Sequence, residues 1–329
     1  MKITVNASKN YNIYLEHNLL DSLVDYIKDD CRKLIISDDI VGDLYVDRVI
    51  RQLSNVDVYI VEHGEKAKSF ECYEKIINFM LDKNYGRQDM VISLGGGVVG
   101  DLAGFVAATY KRGLKFINIP TTTLSQIDSS IGGKVGLNVG KIKNCVGTFY
   151  QPDMVLIDYA VLSTLDKRQY NSGLVEALKA GLIYDKSLFL LFEEDRLDLE
   201  KIIYKALMVK KSVVEKDERE EGLRKILNFG HTIGHGYESY FNLNQYYHGE
   251  CVAFGMLKLI DDKDILERVV KILKRLDIVC PIITDKALVY NYIVNDKKIV
   301  GNKIDLVKID RIGHAYIDSV LIEDIKAYL

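Results

Sequence analysis

Proline is scarce, with three residues in 329. Few hard breaks, no internal repeat and no low-complexity linker argue for two halves that pack closely, with a cleft between them. Cysteine is scarce as well. Cys31, Cys72, Cys145, Cys251 and Cys280 include no C-x-x-C pair and leave an odd count, so reduced thiols in a core are expected rather than a disulfide framework or a cysteine-ligated metal. Long apolar runs are absent. None approaches the roughly 20 residues of a membrane span, and the opening MKITVNASKNYNIYL alternates like a strand without the apolar core of a secretory signal; a cytoplasmic protein with no membrane partner is expected. Nor does one sign of charge dominate: 44 basic and 47 acidic residues are mixed along the chain, with no basic stripe for a nucleic acid. Small, soluble partners remain.

What is present is a large apolar fraction, 48%, enough for a sizeable core and, at roughly 150 residues per domain, for two domains. KLIIS (33–37), VDVYIVE (56–62), DMVISL (89–94) and KFINIP (115–120) read as strands, and SFECYEKIINFMLDKN (69–84) reads as a helix. Strands separated by helices imply parallel pairing through crossovers. After Gln151-Pro152 long helical patterns take over, as in 168–184 and 199–216, which places a boundary between residues 1–151 and 152–329. The tail from about 295 reads as short strands and a closing helix.

LGGGVVGDLAGFVAATY (94–110) stands between a strand and a helix, and Gly95, Gly97 and Gly100 satisfy G-x-G-x-x-G. Such a turn lets backbone N–H groups approach a pyrophosphate at a helix N-terminus, and it equally makes a tight turn with close helix packing. The acid usually found about 20 residues later is missing. Asp38 and Glu65, which follow earlier strands, are the natural partners for ribose hydroxyls if a dinucleotide binds, and the glycine turn then belongs to a later βα unit than usual. PTTTLSQIDSSIGGKVGLN (120–138) reads either as a surface loop or as an anion cradle of hydroxyls, glycine amides and Lys134, with Lys141, Lys143 and Asn144 just downstream.

Three of the six histidines, His231, His235 and His248, crowd into 226–250. His231 and His235 share a helical face, an arrangement common in surface and core helices without a metal. His248 before Gly249-Glu250 could face the same pocket. Catalytic zinc takes three protein ligands from histidine and carboxylates, and Glu176, on the apolar face of SGLVEALKAGLI, is the candidate carboxylate, costly to bury unless paired or metal-bound. Lys179 would otherwise make an ordinary surface ion pair with it.

Six blocks, GGGVVGDLAGFVAATYKRG, PTTTLSQIDSSIGGKVGLN, KN-x-x-G-x-FYQP, SGLVEALKAGLI, DEREEGLRKILNFGHTIGH and HGE, together resemble the 3-dehydroquinate synthase family of sugar phosphate cyclases, lyases of the shikimate pathway, over nearly the whole chain. The resemblance implies an α/β fold: a Rossmann-like N-terminal domain with a parallel sheet that binds NAD, then a mainly α-helical C-terminal domain that binds metal and substrate. It implies zinc, or cobalt, on Glu176, His231 and His248, with His235 a polar partner. NAD contacts fall on Asp38, Glu65, Lys68, Gly96, Gly97, Val98, Asp101, Thr121, Thr122, Lys143, Thr164 and Leu165. Substrate contacts fall on Asp128, Lys134, Asn144, Lys210, Arg224, Asn228, His235 and Lys297, and Arg112 resembles an arginine that crosses the interface of a homodimer. Lys134, Arg224, Asn228 and His235 carry the catalytic roles. The chain departs from the family at Ile40, often asparagine, at Ile142 in the usual G-K-N, and at Gly236, where a helix former is common and glycine costs about 1 kcal/mol.

The implied substrate is 3-deoxy-D-arabino-heptulosonate 7-phosphate. It is oxidised at C5 by NAD+, loses phosphate by β-elimination, is reduced again, and closes by an intramolecular aldol step to 3-dehydroquinate. A polyol dehydrogenase of the same architecture would release NADH and would have no use for Lys134, Lys143, Lys210 and Arg224; a cyclase making an inosose or valiolone product is the nearer alternative; a catalytically dead binding protein would not need all three ligands.

Overall fold

Alternating β-branched runs bury one residue on each face of a sheet in turn, and the strands Lys33–Asp38 and Met90–Gly95 do this in the computed structural model, which describes residues 1–28, 30–140, 142–241, 245–278, 285–294, 299–300 and 302–329. The chain divides into two units, Met1–Leu165 and Asp166–Leu329. The first contains β1 (Lys2–Val5), β2 (Tyr11–Glu16), α1 (Leu23–Tyr26), β3 (Lys33–Asp38), α2 (Asp39–Ile50), β4 (Val56–Val61), α3 (Phe70–Asp82), β5 (Met90–Gly95), α4 (Gly97–Thr109), β6 (Lys115–Pro120), β7 (Lys134–Val139), β8 (Ile142–Phe149) and β9 (Met154–Asp158).

Seven of these strands form one sheet in the order β1-β2-β9-β6-β5-β3-β4. All neighbours are parallel except β1 and β2, an antiparallel pair at one edge; the alternating opening of the sequence is thus two strands, not one. Leu34, Ile36 and Val91 face a core with α3 and α4. Ile35, Ile92 and Leu94 face a second core with α2. Helices therefore cover both faces, as a parallel sheet requires. From β3 the chain runs outward to β4, then returns to place β5 on the other side of β3. That reversal is a topological switch point, where open α/β sheets bind ligands beyond the carboxyl ends of their strands. Residues 152–165, assigned by texture to the helical half, belong to the first unit: β9 pairs with β2 and β6 and completes the sheet.

The second unit contains α5 (Lys167–Ile183), α6 (Lys186–Leu191), α7 (Leu199–Lys216), α8 (His231–Tyr240), α9 (His248–Leu257), α10 (Lys263–Arg275) and α11 (Lys286–Val294), followed by the antiparallel β10 (Ile299–Val300), β11 (Lys303–Arg311) and β12 (His314–Leu321) and a closing 3-10 helix. It is mainly helical with a small sheet. Asp166 starts α5 by accepting from the backbone N–H groups of Arg168 and Gln169, and every residue from 171 to 183 is buried. Such a helix lies inside a core rather than on it.

Glycines let the neighbours of α5 come close. A Cβ on Gly249, at the start of α9, would lie 1.9 Å from the carbonyl oxygen of Ser172 on α5, and one on Gly255 would lie 2.1 Å from that of Gly230. The departure at Gly236 has the same cause, since a Cβ there would stand 2.6 Å from Ile293 of α11. The helix-propensity cost is the cost of admitting α11. Gly249→Ala should lose about 1–3 kcal/mol by overpacking, read as a drop of several degrees in the thermal midpoint. Gly86→Ala, whose nearest neighbour would be 3.6 Å away, should leave the midpoint within about one degree; equal effects would show that the close approach carries no weight.

Candidate functional site

In the second unit α5, α8 and α9 bring three of the histidines and one glutamate together. Glu176 has a side chain 1% exposed. Its Oε2 accepts from Lys179 Nζ, while Oε1 lies 3.8 Å from His231 Nε2 and 3.6 Å from His248 Nε2. One ligand atom from each of Glu176, His231 and His248 lies within 4.8 Å of the others, close enough for a divalent cation to draw them in. The other ring nitrogens are engaged: His231 Nδ1 is 3.2 Å from Phe229 O, and His248 Nδ1 is 2.9 Å from Glu238 Oε1. Both imidazoles therefore turn Nε2 toward Glu176 and leave that nitrogen for a metal. Burial opposes a charged imidazole at His248, yet the carboxylates of Glu238 and Glu176 outweigh it and push the group up to about 10. The surroundings demand positive charge at this point. These residues fit a zinc ion in donor type and spacing.

HGE has three separate tasks here. His248 faces Glu176, Gly249 donates its N–H to Ser172 Oγ at 3.0 Å, and Glu250 accepts from the Tyr247 N–H at 2.7 Å and from Nε and Nη2 of Arg168. Lys179 pairs with Glu176 as the alternative reading required, but inside the core rather than on a surface. His235 lies beside the cluster, 38% exposed, its ring 5.3 Å from that of His231.

Fixed cations stand in the same unit. Lys210 and Arg224 are buried. Asp217 organises the turn before Arg224, accepting from the N–H groups of Glu221, Gly222 and Arg224 at 3.0, 2.7 and 2.9 Å; the Arg224 guanidinium donates to Glu218 O, and Asn228 Nδ2 donates to Glu220 Oε1 at 2.6 Å. Lys297 lies outside the described residues.

In the first unit the named residues gather at the carboxyl edge of the sheet. Asp38 ends β3 and caps α2 through the Val41 N–H at 2.8 Å; burial, ahead of its bond from Val41, leaves its carboxyl above the ordinary range. Gly96 caps α4, which has no side-chain cap and no acid in its first turn, so the N–H groups at Gly97 and Val98 suit an anion. A Cβ on Gly96 would stand 3.1 Å from Thr122, and one on Gly97 would stand 3.0 Å from Ser129 Oγ. Thr121 Oγ1, just past the end of β6, is buried without a hydrogen-bond partner among the described residues. An uncapped helix start, a cradle free of side chains and an orphaned hydroxyl all fit a dinucleotide.

The β7-β8 hairpin carries a second group to this edge. Lys68 donates to Asp101 Oδ2 at 2.6 Å and to Asn144 Oδ1; Glu65 lies 3.6 Å from Lys143 and accepts from Asn138 at 2.8 Å. Thr164 bonds to Tyr45 of α2 at 2.6 Å, beside Leu165. The stretch 120–138 is largely buried, with Thr121, Thr123, Ser125, Gln126 and Ser130 inside, and it contains a π-helical turn (Ser125–Ser129) as well as β7; it is not a surface loop. Asp128 is half-buried on that turn and Lys134 is exposed at the start of β7. Arg112 is set apart, exposed beyond the far end of α4 in left-handed backbone at φ 70°. Ile40 and Ile142 are exposed, at 52% and 57%.

Several participants escaped the sequence reading, among them Glu238, Asn138, Asp217, Glu220 and the inward position of Lys179. Glu238, three residues after His235 on the same helix, carried a usable signal, as did Asn138 within the hydroxyl-rich stretch. Glu220 carried none. It sits in a run of acids, and only its backbone at φ 64° turns it toward Asn228.

Two family models match this chain: 3-dehydroquinate synthase N-terminal over residues 58–172 and 3-dehydroquinate synthase C-terminal over residues 173–299. A 3-dehydroquinate synthase of Clostridium beijerinckii is 40% identical over 308 residues, 88% of each chain. Among solved structures, a 2-deoxy-scyllo-inosose synthase is similar at a TM-score of 0.88 with 24% identity, over 99% of this chain and 98% of that one. A 2-epi-5-epi-valiolone synthase from Streptomyces hygroscopicus subsp. jinggangensis, solved with NAD+ and Zn2+ bound, is similar at 0.86 with 25% identity, over 100% and 98%. Among the described residues no helix is long and apolar enough to cross a membrane.

Glu176→Gln should lose zinc on dialysis, because a neutral amide replaces the one anionic ligand, and should lower the thermal midpoint, because buried Lys179 loses its anionic partner. His235→Asn should retain one equivalent by metal analysis, and loss of zinc there would make His235 a ligand.

Proposed function

We propose, for a chain that belongs to the 3-dehydroquinate synthase family and is an enzyme of that activity, that Glu176, His231 and His248 hold zinc, that the carboxyl edge of the first unit's sheet holds NAD, and that the substrate is 3-deoxy-D-arabino-heptulosonate 7-phosphate. The single observation that carries this is the convergence of the three ligand atoms within 4.8 Å. The valiolone synthase solved with NAD+ and Zn2+ supports the same pair of cofactors; the donor set would accept cobalt equally. When bound, zinc supplies a Lewis acid for substrate hydroxyls, and NAD supplies an oxidant restored within the turnover.

The chain's own residues do the rest. Lys179 holds one oxygen of Glu176, so the other stays aimed at the imidazoles. Arg224, fixed by Glu218 O and by the Asp217 turn, offers a preorganised planar cation to a carboxylate or phosphate, and Lys210 adds a point charge. Asn228, anchored on Glu220, and His235 orient the reacting hydroxyls, and His235 passes protons in ring opening. The departing phosphate takes the C6 proton, since cations rather than bases dominate the set. In the first unit Asp38 and Glu65 take ribose hydroxyls. Gly96, Gly97 and Val98 take the pyrophosphate, with Lys68, Asp101, Thr121, Thr122, Lys143, Thr164 and Leu165 as further cofactor contacts. Asp128, Lys134 and Asn144 serve the substrate, as does Lys297. Arg112, exposed and remote from the glycine turn, serves a homodimer contact. The enzyme works in the cytoplasm on a small sugar-acid phosphate.

Purified protein with the heptulosonate phosphate, NAD and zinc should yield phosphate and dehydroquinate with no net NADH; NADH accumulating from a neutral polyol would replace this reading with a dehydrogenase. Asp217→Asn should raise KM about tenfold, the loss of about 1.4 kcal/mol from a charged acceptor, with zinc retained. Burial pushes the Asp217 carboxyl up, but the N–H groups of Arg224 and Gly222 outweigh it and hold the group low. A depressed carboxyl stabilises the turn fully above its unfolded value, near pH 4. That support fades as pH falls through the lower folded value, so turn-dependent KM should be flat from neutrality to about pH 4.

A further inference from the structure

We infer that Glu238 is a positioning residue: it fixes which nitrogen of His248 faces the metal and so selects one of two overlapping cation sites. This rests on the reading that Glu176, His231 and His248 hold the metal. Glu238 is buried on α8, two turns beyond His231. Its Oε1 lies 2.9 Å from His248 Nδ1, and its Oε2 lies 3.9 Å from His235 Nε2. An ionised carboxylate only accepts hydrogen bonds, so it keeps a proton on His248 Nδ1 and leaves Nε2, which faces Glu176, as the nitrogen that a cation can claim.

The selection matters because a second set also converges: His235, Glu238 and His248 likewise offer ligand atoms within 4.8 Å of one another. A cation there would need His248 Nδ1 to lose its proton and give up the bond to Glu238. With the Nδ1–H bonded to Glu238, only the set containing Glu176 has His248 Nε2 turned toward it. The spacing H-x-x-x-H-x-x-E thus places on one helix a ligand, a polar neighbour and the acid that orients a ligand on the next helix.

The test uses the full chain, zinc alone as probe, and two variants. Glu238→Gln keeps a carbonyl acceptor for Nδ1–H, and Glu238→Leu removes it. Zinc affinity by chelator competition should fall about tenfold in the first and up to about 100-fold in the second. Long-range proton–nitrogen spectra of the zinc-loaded wild type should show His248 bound through Nε2 with Nδ1 protonated. Glu238→Gln should preserve that signature and melt within a few degrees of the wild-type apoprotein, which a merely structural role for Glu238 would not combine with weaker zinc binding. Unchanged affinity in Glu238→Gln, or His248 bound through Nδ1 in the wild type, overturns the inference. Wild-type protein that binds no zinc overturns the metal reading and this inference together, whereas wild-type binding with unaltered variants overturns this inference alone. Should Glu238→Leu fail to fold, the Gln variant decides.

Discussion

A carboxylate buried among apolar side chains costs several kcal/mol unless other charges compensate it, and Glu176 is such a group at the centre of α5. Its compensation shapes the second unit. Lys179, one helical turn on, satisfies one oxygen; the other faces two imidazoles that arrive from α8 and α9. They can arrive only because Gly249 and Gly255 let backbones touch where any side chain would intrude. Packing and chemistry are here one constraint: the glycines that bring the helices together also bring the ligands together, so a change that loosens the packing loosens the site.

The first unit depends on a different constraint, the reversal of strand order between β3 and β5. It sends Asp38 and the glycine turn out from adjacent strands at the same edge and leaves an uncapped helix start between them. The β7-β8 hairpin then supplies side chains the sheet lacks. Lys68 tied to Asp101 and Asn144, and Glu65 tied to Asn138 and Lys143, make a hydrogen-bonded patch in which each charge has an opposite or polar neighbour before any ligand binds. A preorganised patch of this kind lowers the ordering cost of binding.

Much of this was legible in the sequence, for identifiable reasons. The strands β3 to β6 are short apolar runs between amphipathic segments, so periodicity located them within a residue or two. The missing acid after the glycine turn directed attention to Asp38 and Glu65, because a turn on a later βα unit needs its acid from an earlier strand. Convergence of Glu176 with His231 and His248 followed from a buried acid needing partners. The boundary was misplaced because β9 is followed by helices and carries no mark of the distant β2 and β6 it pairs with; pairing between strands far apart in sequence leaves no local pattern. The stretch 120–138 could be read as a solvent loop as readily as an anion cradle because its composition is polar, yet most of its hydroxyls are turned inward. Gly236 looked like a defect in a helix until Ile293 was seen against it.

We propose that one cation sits between Glu176, His231 and His248. Anomalous diffraction from crystals of the zinc-loaded protein, recorded on both sides of the zinc absorption edge, tests it most directly. The account requires a single strong peak about 2 Å from a Glu176 carboxylate oxygen and from the Nε2 atoms of His231 and His248. A peak on His235, Glu238 and His248 Nδ1 instead, or none in protein with one zinc per chain, would contradict it.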